Sequence, residues 1–220
     1  MGALVVIAAV VVTLVVTGSD DDADTAGTGA SASTSASDPT SEATPEPSDD
    51  PTDDQSGDTG SDSDSEDTVT GDGYAFQLPG IGWQNALDEA QSSGLGSTLD
   101  AIIILGTSLD LAQSNILVEA LTAGGAPSLE ALEGQWKRNL GGSDGAVPDD
   151  IPDITIDGER AIGVRFTDRQ NVNGLFIDQV AYLALHNGNQ YSVALSLPSD
   201  NDSVSEADFE KVLDSWTWTY

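Results

Sequence analysis

The chain has 220 residues, with 38 acidic and 6 basic side chains and a formal charge of -32. Phosphate repulsion at that charge excludes a nucleic-acid partner. With no cysteine and one histidine, disulfide frameworks, thiolate metal centres, cysteine nucleophiles and multi-histidine zinc sites drop out as well.

The composition falls into three parts. From Ala3 to Val16 the only polar side chain is Thr13, and as a helix this run is about 21 Å long against about 30 Å of hydrocarbon. Adding Gly2, Thr17 and Gly18 brings it to about 25 Å, and local thinning of the bilayer covers the difference. Residues 1–18 therefore read as a transmembrane anchor, with a cleaved signal segment as the rival and a buried core helix as the third reading. Both leading readings export the rest of the chain. Both normally carry Lys or Arg on the cytoplasmic side, yet nothing before Lys137 is basic, so the true start is expected upstream of Met1. A lipid anchor fails for lack of a cysteine.

Residues 19–70 hold sixteen Asp and Glu, no aromatic residue, and Val69 as their only large aliphatic side chain. Such a segment cannot bury enough apolar surface to offset chain entropy and reads as a disordered acidic linker. Asp20, Asp22 and Asp24, or Asp62, Asp64 and Glu66, imitate the start of a calcium loop, but neither run has glycine at its sixth position. Ser and Thr among Pro39, Pro45, Pro47 and Pro51 also fit a glycosylatable stalk.

Residues 71–220 contain every aromatic residue and suffice for one domain. Tyr74, Phe76 and Leu78 alternate into a strand that Pro79 and Gly80 end, and Gln84 to Ser92 forms a short helix around Leu87 and Ala90. Leu99 to Leu105 is a continuous apolar run, as in a strand covered on both faces. Ile116, Val118 and Ala120 give the next strand, ended by Gly124, Gly125 and Pro127. Ser128 caps a helix whose stripe is Leu129, Leu132, Trp136 and Leu140, with Lys137 and Arg138 in its last turn against the macrodipole. After a loop from Gly141 to Pro152, Ile154 and Ile156 lead into an Asp157-Gly158 hairpin. Beyond it Ile162, Val164 and Phe166 face one way and Ala161, Gly163 and Arg165 the other. Leu175 to Leu185 and Gln190 to Leu197 form two long strands joined by Asn187-Gly188. Tyr191, Val193, Leu195 and Leu197 share one face, with Ser192, Ala194 and Ser196 on the other. Ser203 with Glu206 makes a capping box for a closing helix with stripe Phe209, Val212, Leu213 and Trp216. The fold class is α+β: an antiparallel sheet with helices packed on it.

The order Tyr74-x-Phe76-x-Leu78-Pro79, Trp83, the Leu129 to Leu140 helix, the Asp157-Gly158 hairpin, two long strands and Phe209, Val212, Leu213, Ser215 and Trp216 resembles the PsbP-like family. That family includes the extrinsic photosystem subunit, a yeast Ran-binding import factor and LpqN-type envelope proteins of actinobacteria, the last being the nearest likeness. The resemblance implies an α-β-α sandwich and a protein- or ligand-binding role without established catalysis, and carries no catalytic residue over. Unlike the lipoprotein branch, this chain has no cysteine after its apolar run, so a transmembrane anchor would replace the lipid.

Gly141-Gly142-Ser143-Asp144-Gly145 has the spacing of a nucleophile elbow, but it follows a helix instead of a strand. Its only possible histidine base, His186, belongs to a hairpin tip and reads as an exposed turn residue. Asp149, Asp150, Asp153 and Asp157 read as a solvated acidic edge before a calcium site, and Arg160, Arg165 and Arg169 as partners of local acids such as Glu159 and Asp168 before an anionic headgroup. Trp136 and Trp216 belong to the core. Trp83, Arg165 and Trp218 remain as possible ligand or partner contacts, and no catalytic residue, metal or cofactor is expected. The functional expectation is a membrane-tethered extracytoplasmic binding or interaction domain of the cell envelope, single-pass and not an enzyme. Its partner would be an envelope protein or a lipid or glycan ligand. The alternatives are an exported carboxylate-dependent hydrolase, which requires an acid of raised pKa in a pocket, and a structural assembly factor for a membrane complex.

Overall fold

A computed structural model describes residues 67–95, 98–142, 145–171, 174–200 and 206–220. The expected anchor, nearly all of the acidic linker, both calcium-like runs, Ser143 and the Ser203 cap lie outside the described residues. Among the described residues no helix is long and apolar enough to cross a membrane.

The centre of the molecule is a seven-stranded, wholly antiparallel sheet. In spatial order its strands are β3 (Trp83–Asn85), β4 (Leu99–Leu105), β5 (Ser114–Thr122), β9 (Asn189–Pro198), β8 (Phe176–His186), β7 (Glu159–Gln170) and β6 (Asp149–Ile156). A smaller sheet has the order β1 (Thr68–Gly71), β2 (Tyr74–Gln77), β10 (Thr217–Trp218). The helices are α1 (Leu87–Ser92), α2 (Leu129–Gly141) and α3 (Glu206–Asp214). The class is α+β, as the alternating strands and hairpin turns require.

Two cores lie on the two faces of the large sheet. One joins Ile103, Val118, Val193 and Leu195 to Tyr74 and Phe76 of β2 and Phe209, Val212 and Trp216 around α3. The other joins Ile102, Leu117, Ala194, Ile162, Val164 and Phe166 to Ala90 of α1 and Trp136 and Leu140 of α2. Covered on both sides, β9 is buried from Gln190 to Pro198. Its alternation still sorts Tyr191, Val193, Leu195 and Leu197 to one core and Ala194 to the other. Asp157-Gly158 and Asn187-Gly188 turn with φ of 43° and 88°, and 48° and 81°, the paired left-handed geometry of a tight hairpin.

Four expectations change. Thr68–Thr70, placed in the linker on composition, form β1 with Gly71 and pair with β2, and Val69 is 2% exposed in the first core. A single buried valine among threonines is enough for an edge strand and invisible to a composition window. The helix expected from Gln84 starts at Leu87, because Trp83–Asn85 pair with Leu105–Ile103. The loop ending at Pro152 is strand β6 from Asp149. Proline is tolerated there because β6 is an edge and Pro152 lies in a bulge between Ile151 and Ile154. Ser128 stands at the N-cap of α2, but its hydroxyl turns to the Glu130 carboxylate instead of a backbone N–H.

Candidate functional site

Strands β5, β6 and β8 begin, and β4, β7 and β9 finish, at one end of the sheet; the tight hairpins occupy the other. Of the five exposed large hydrophobic residues among those described, Ile81, Leu111, Val147 and Phe176 sit at the first end and Tyr220 at the hairpin end. At the first end lies a cleft of about 340 Å³ between the β7–β8 connection and the exit of β9, near the lower end of the usual range for ligand sites. Leu175, Phe176, Ile177 and Pro198 supply its apolar surface, and Asp168, Ser199 and Asp200 its polar rim. Phe176 is 57% exposed.

The cleft is built by a bulge and a carboxylate. Between Phe166 and Arg169, β7 takes three steps against two on β8, and the extra residue leaves Asp168 at φ 53°. Among the described residues the other two non-glycine positions with positive φ, Asp157 and Asn187, are explained by their hairpin turns; Asp168 is held by its surroundings. Its N–H donates to Asp178 Oδ1 at 2.9 Å, and Ser199 Oγ donates to the same oxygen at 2.6 Å. One carboxylate oxygen thus ties the β7 bulge to the β9 exit. The connecting loop folds on Asn171, whose Oδ1 accepts from Leu175 N at 3.0 Å and whose N–H donates to Leu175 O at 2.8 Å.

The same bulge turns Arg169 onto the face of Phe166, three residues earlier, which plain alternation would forbid. The guanidinium lies 4.7 Å from the Phe166 ring centroid and donates to Leu140 O and Gly141 O at 2.8 and 2.9 Å. It therefore closes the C-terminus of α2, a role assigned from sequence to Lys137 and Arg138. Lys137 instead pairs with Glu133 and Asp150.

The three expected contact residues are not brought together. Trp83 is 6% exposed and belongs to the core, so it offers no contact surface; its Nε1 donates to Asp208 Oδ2 at 3.0 Å. Burial pushes the Asp208 carboxyl upward, but hydrogen bonds from Lys211 and Trp83 outweigh it and the pKa is lowered. Arg165 donates to Glu206 at 2.6 Å, and that bond raises its pKa. Both residues fasten α3. Trp218 is half-buried at the hairpin end, stacked on His186 with ring centroids 4.4 Å apart, and its Nε1 donates to Ile156 O at 3.2 Å.

His186 is not an exposed turn histidine. Its side chain is 16% exposed, with Nδ1 3.1 Å from Glu159 and Nε2 3.0 Å from the Tyr220 carbonyl. Gly142 and Gly145, which flank Ser143, lie before Asp149. Asp149 pairs with Arg165 and Arg165 with Val180, six residues along β8 from His186, on the order of 20 Å. The topology keeps the start of β6 and His186 at opposite ends of the sheet.

The acids of β6 and its turn are mostly engaged: Asp150 by Lys137, Asp153 by Arg160, and Asp157 of the hairpin turn by Trp218 N at 2.8 Å. Arg160 also holds Glu130, and that hydrogen bond brings the Glu130 pKa down to about 2. The arginines therefore do pair, with Glu130, Asp153 and Glu206 and not with Glu159 and Asp168. Among the described residues, both carboxyls with displaced pKa values, Glu130 and Asp208, are displaced downward. Among the described residues no three His, Asp or Glu side chains are placed to hold a metal.

No family model and no curated protein sequence matches this chain. Among solved structures it is similar to a protein of Bacteroides thetaiotaomicron at 11% identity and TM-score 0.46, covering 67% of this chain and 46% of that one. It is similar to cyanobacterial PsbP from Synechocystis at 14% and 0.49, covering 74% and 96%. It is also similar to the Ran-binding protein Mog1p of Saccharomyces cerevisiae at 12% and 0.45, covering 66% and 90%. The chain thus spans under half of the first of these proteins. The α+β class rests on the strand order and register above.

Proposed function

We propose that the chain is a membrane-tethered extracytoplasmic binding domain, of the same kind as the LpqN-type envelope proteins, and that it binds at the β7–β9 cleft without turnover. The observation that carries this reading is the cleft itself: an apolar wall with a well-exposed phenylalanine, framed by a strained Asp168 that two strands hold in place. Backbone held in the left-handed region by its surroundings is a feature that clusters at ligand sites, and the apolar wall beside it offers the contact surface. The order of an apolar leader, an acidic spacer and a folded body supports the tether.

The test is made on whole cells producing the full chain with a photoreactive phenylalanine analogue at position 176, and at Thr122 of the hairpin end as control. External protease is expected to remove the folded body, and irradiation to give one discrete adduct at 176 and none at 122. A body protected from protease, or equal labelling at both positions, overturns the reading.

A further inference from the structure

The two ends of the sheet treat their acids differently. At the hairpin end the turn carboxylates are taken up by the fold: Asp72 by the Tyr220 hydroxyl, Asp100 by Asp72 N at 2.8 Å, Asp157 by Trp218 N and Glu159 by His186. At the other end Asp67, Asp110, Asp149, Asp168 and Asp200 are exposed, and among the described residues none of them has an ion-pair partner. The four exposed hydrophobic residues of that end each stand beside one of these acids. Leu111 follows Asp110, Val147 comes two residues before Asp149, and Phe176 shares the cleft with Asp168 and Asp200. The Asp67 carbonyl accepts from Leu78 N at 2.7 Å, beside the chain three residues before Ile81. Ile81 and Val147 are 105% and 85% exposed. Hydrophobic residues exposed singly need no explanation; four at one end, each with an unneutralised carboxylate, form a repeated unit. In sheet order they fall at β3, the β4–β5 connection, β8 and β6, a row of about 29 Å at about 4.8 Å per strand step.

Charge argues against three occupants. An anionic lipid surface is repelled. A second copy brings the same acids, with Lys137, Arg160, Arg165 and Lys211 already paired inside it. Residues 1–66 of this chain contain no lysine or arginine. We infer that this end of the sheet docks a basic amphipathic segment of another protein. Its apolar side chains meet Ile81, Leu111, Phe176 and Val147, and its lysines or arginines meet the five acids between them. A helix of about 19 residues spans the row, and the mode is that of an amphipathic helix laid on an apolar surface. The cleft is part of this surface, so the inference rests on the binding reading above and names its partner. An adduct at position 176 with peptide responses confined to the cleft leaves the binding reading standing and removes the wider surface, whereas no adduct at 176 removes both.

The experiment uses the full chain, labelled with nitrogen-15 and held in phosphatidylcholine nanodiscs. It is titrated with an amphipathic peptide of about twenty Leu and Lys residues, a Leu and Glu peptide of the same pattern, and a Ser and Lys peptide of the same charge. The expected result is a saturable shift of the backbone amides of Ile81, Leu111, Val147 and Phe176 with the Leu and Lys peptide, and none at Thr122 or Asn187 of the hairpin end. Ile81→Ser with Val147→Ser is expected to weaken that binding about tenfold through lost apolar burial. Both side chains are exposed, so the melting temperature stays where it was. Asp110→Asn with Asp149→Asn is expected to weaken it about threefold and to flatten its salt dependence. The inference is overturned if the Leu and Glu peptide binds as well, if the Ser and Lys peptide binds as tightly and charge alone suffices, or if both double variants keep the original affinity. It is equally overturned if a paramagnetic lipid in the disc broadens the amides of Ile81 and Val147 before any peptide is added, since the bilayer then covers this end.

Discussion

Gly163 offers the sharpest test of how the first core is packed. Its φ lies outside the left-handed region, so conformational freedom does not explain glycine there; the neighbours do. A Cβ at 163 would stand 2.6 Å from Tyr182 Cε1, 2.7 Å from Ile151 Cγ1 and 3.1 Å from Pro152 O. Little room exists to retreat. The Tyr182 ring, directly across the ladder, is stacked on Phe209 of α3 with centroids 6.0 Å apart, and Pro152 is fixed in the β6 bulge. Overpacking of this kind costs about 1–3 kcal/mol, and alanine returns about 0.4–1 kcal/mol by restricting the unfolded chain. Gly163→Ala should therefore destabilise by about 1–2 kcal/mol. With a urea dependence near 2 kcal/mol/M, the unfolding midpoint of the full chain, followed by tryptophan fluorescence, should fall by about 0.5–1 M. The pairing makes a second demand: in a Tyr182→Ala background the same substitution should cost clearly less, by about 0.5–1 kcal/mol, the remaining cost coming from Ile151 and Pro152 O. A midpoint that rises with Gly163→Ala, or equal costs in the two backgrounds, would refute the claim that the Tyr182 ring keeps this position a glycine.

The ion pairs and the cap of α2 give three further expected outcomes. Arg160→Met should raise the Glu130 carboxyl from about 2 toward its ordinary 4.5, stopping short of it because the Ser128 hydroxyl and the backbone N–H still bond the carboxylate, as read by carbon-13 shifts of its carboxyl; an unmoved midpoint removes the pairing. Glu130 and Asp208 both have folded-state pKa values below their unfolded ones. Their contribution is thus complete above about pH 4.5 and is lost as the pH falls through the folded values; Asp208→Asn should flatten part of that acid loss, and identical acid profiles for the two proteins would contradict it. Arg169→Leu should cost about 1–2 kcal/mol through the uncapped carbonyls of α2, with Arg169→Lys restoring less than half because lysine lacks the two-pronged donor; equal urea midpoints for all three proteins would contradict it.

Alternation and turn chemistry are enough to read most of the sheet. The Leu99–Leu105 strand comes from a continuous apolar run, and the two hairpins and the sorting of β9 side chains between faces come from a period of two and from Asp-Gly and Asn-Gly. The parts that escape lie at the irregularities. Bulges at Asp100, Pro152 and Asp168 each insert one residue and reverse the facing of the residues beyond it. This brings Ile151 to the same core as Ile154 and Ile156 and sends Arg169 to α2. A strict alternation cannot show this, because a bulge is set by pairing with a partner strand distant in sequence. The cleft escapes for the same reason: Asp168, Phe176 and Pro198 come from three strand ends, joined through Asp178, itself inconspicuous in sequence, and through Ser199 N on Phe176 O. The tryptophans mislead in another way. Indole nitrogens at Trp83 and Trp218 are satisfied by Asp208 and Ile156 O, which lets amphipathic rings serve as struts where composition alone invites a contact surface.

Charge narrows the ligand in a manner the total of -32 does not. Lys137, Arg160, Arg165 and Lys211 are each paired with acids of the fold itself, and Arg169 lies on helix carbonyls; among the described residues Arg138 alone is left, in the exposed last turn of α2. The cations are thus consumed by architecture, and the acids left at the surface set the field an approaching molecule meets. At the cleft those acids are Asp168 and Asp200, so an anionic amphiphile is turned away before contact. A cationic one is drawn to the rim. Binding of an uncharged molecule there should be nearly independent of ionic strength, whereas attraction of a cation to the rim fades as salt shortens the screening length from about 10 Å to about 3 Å.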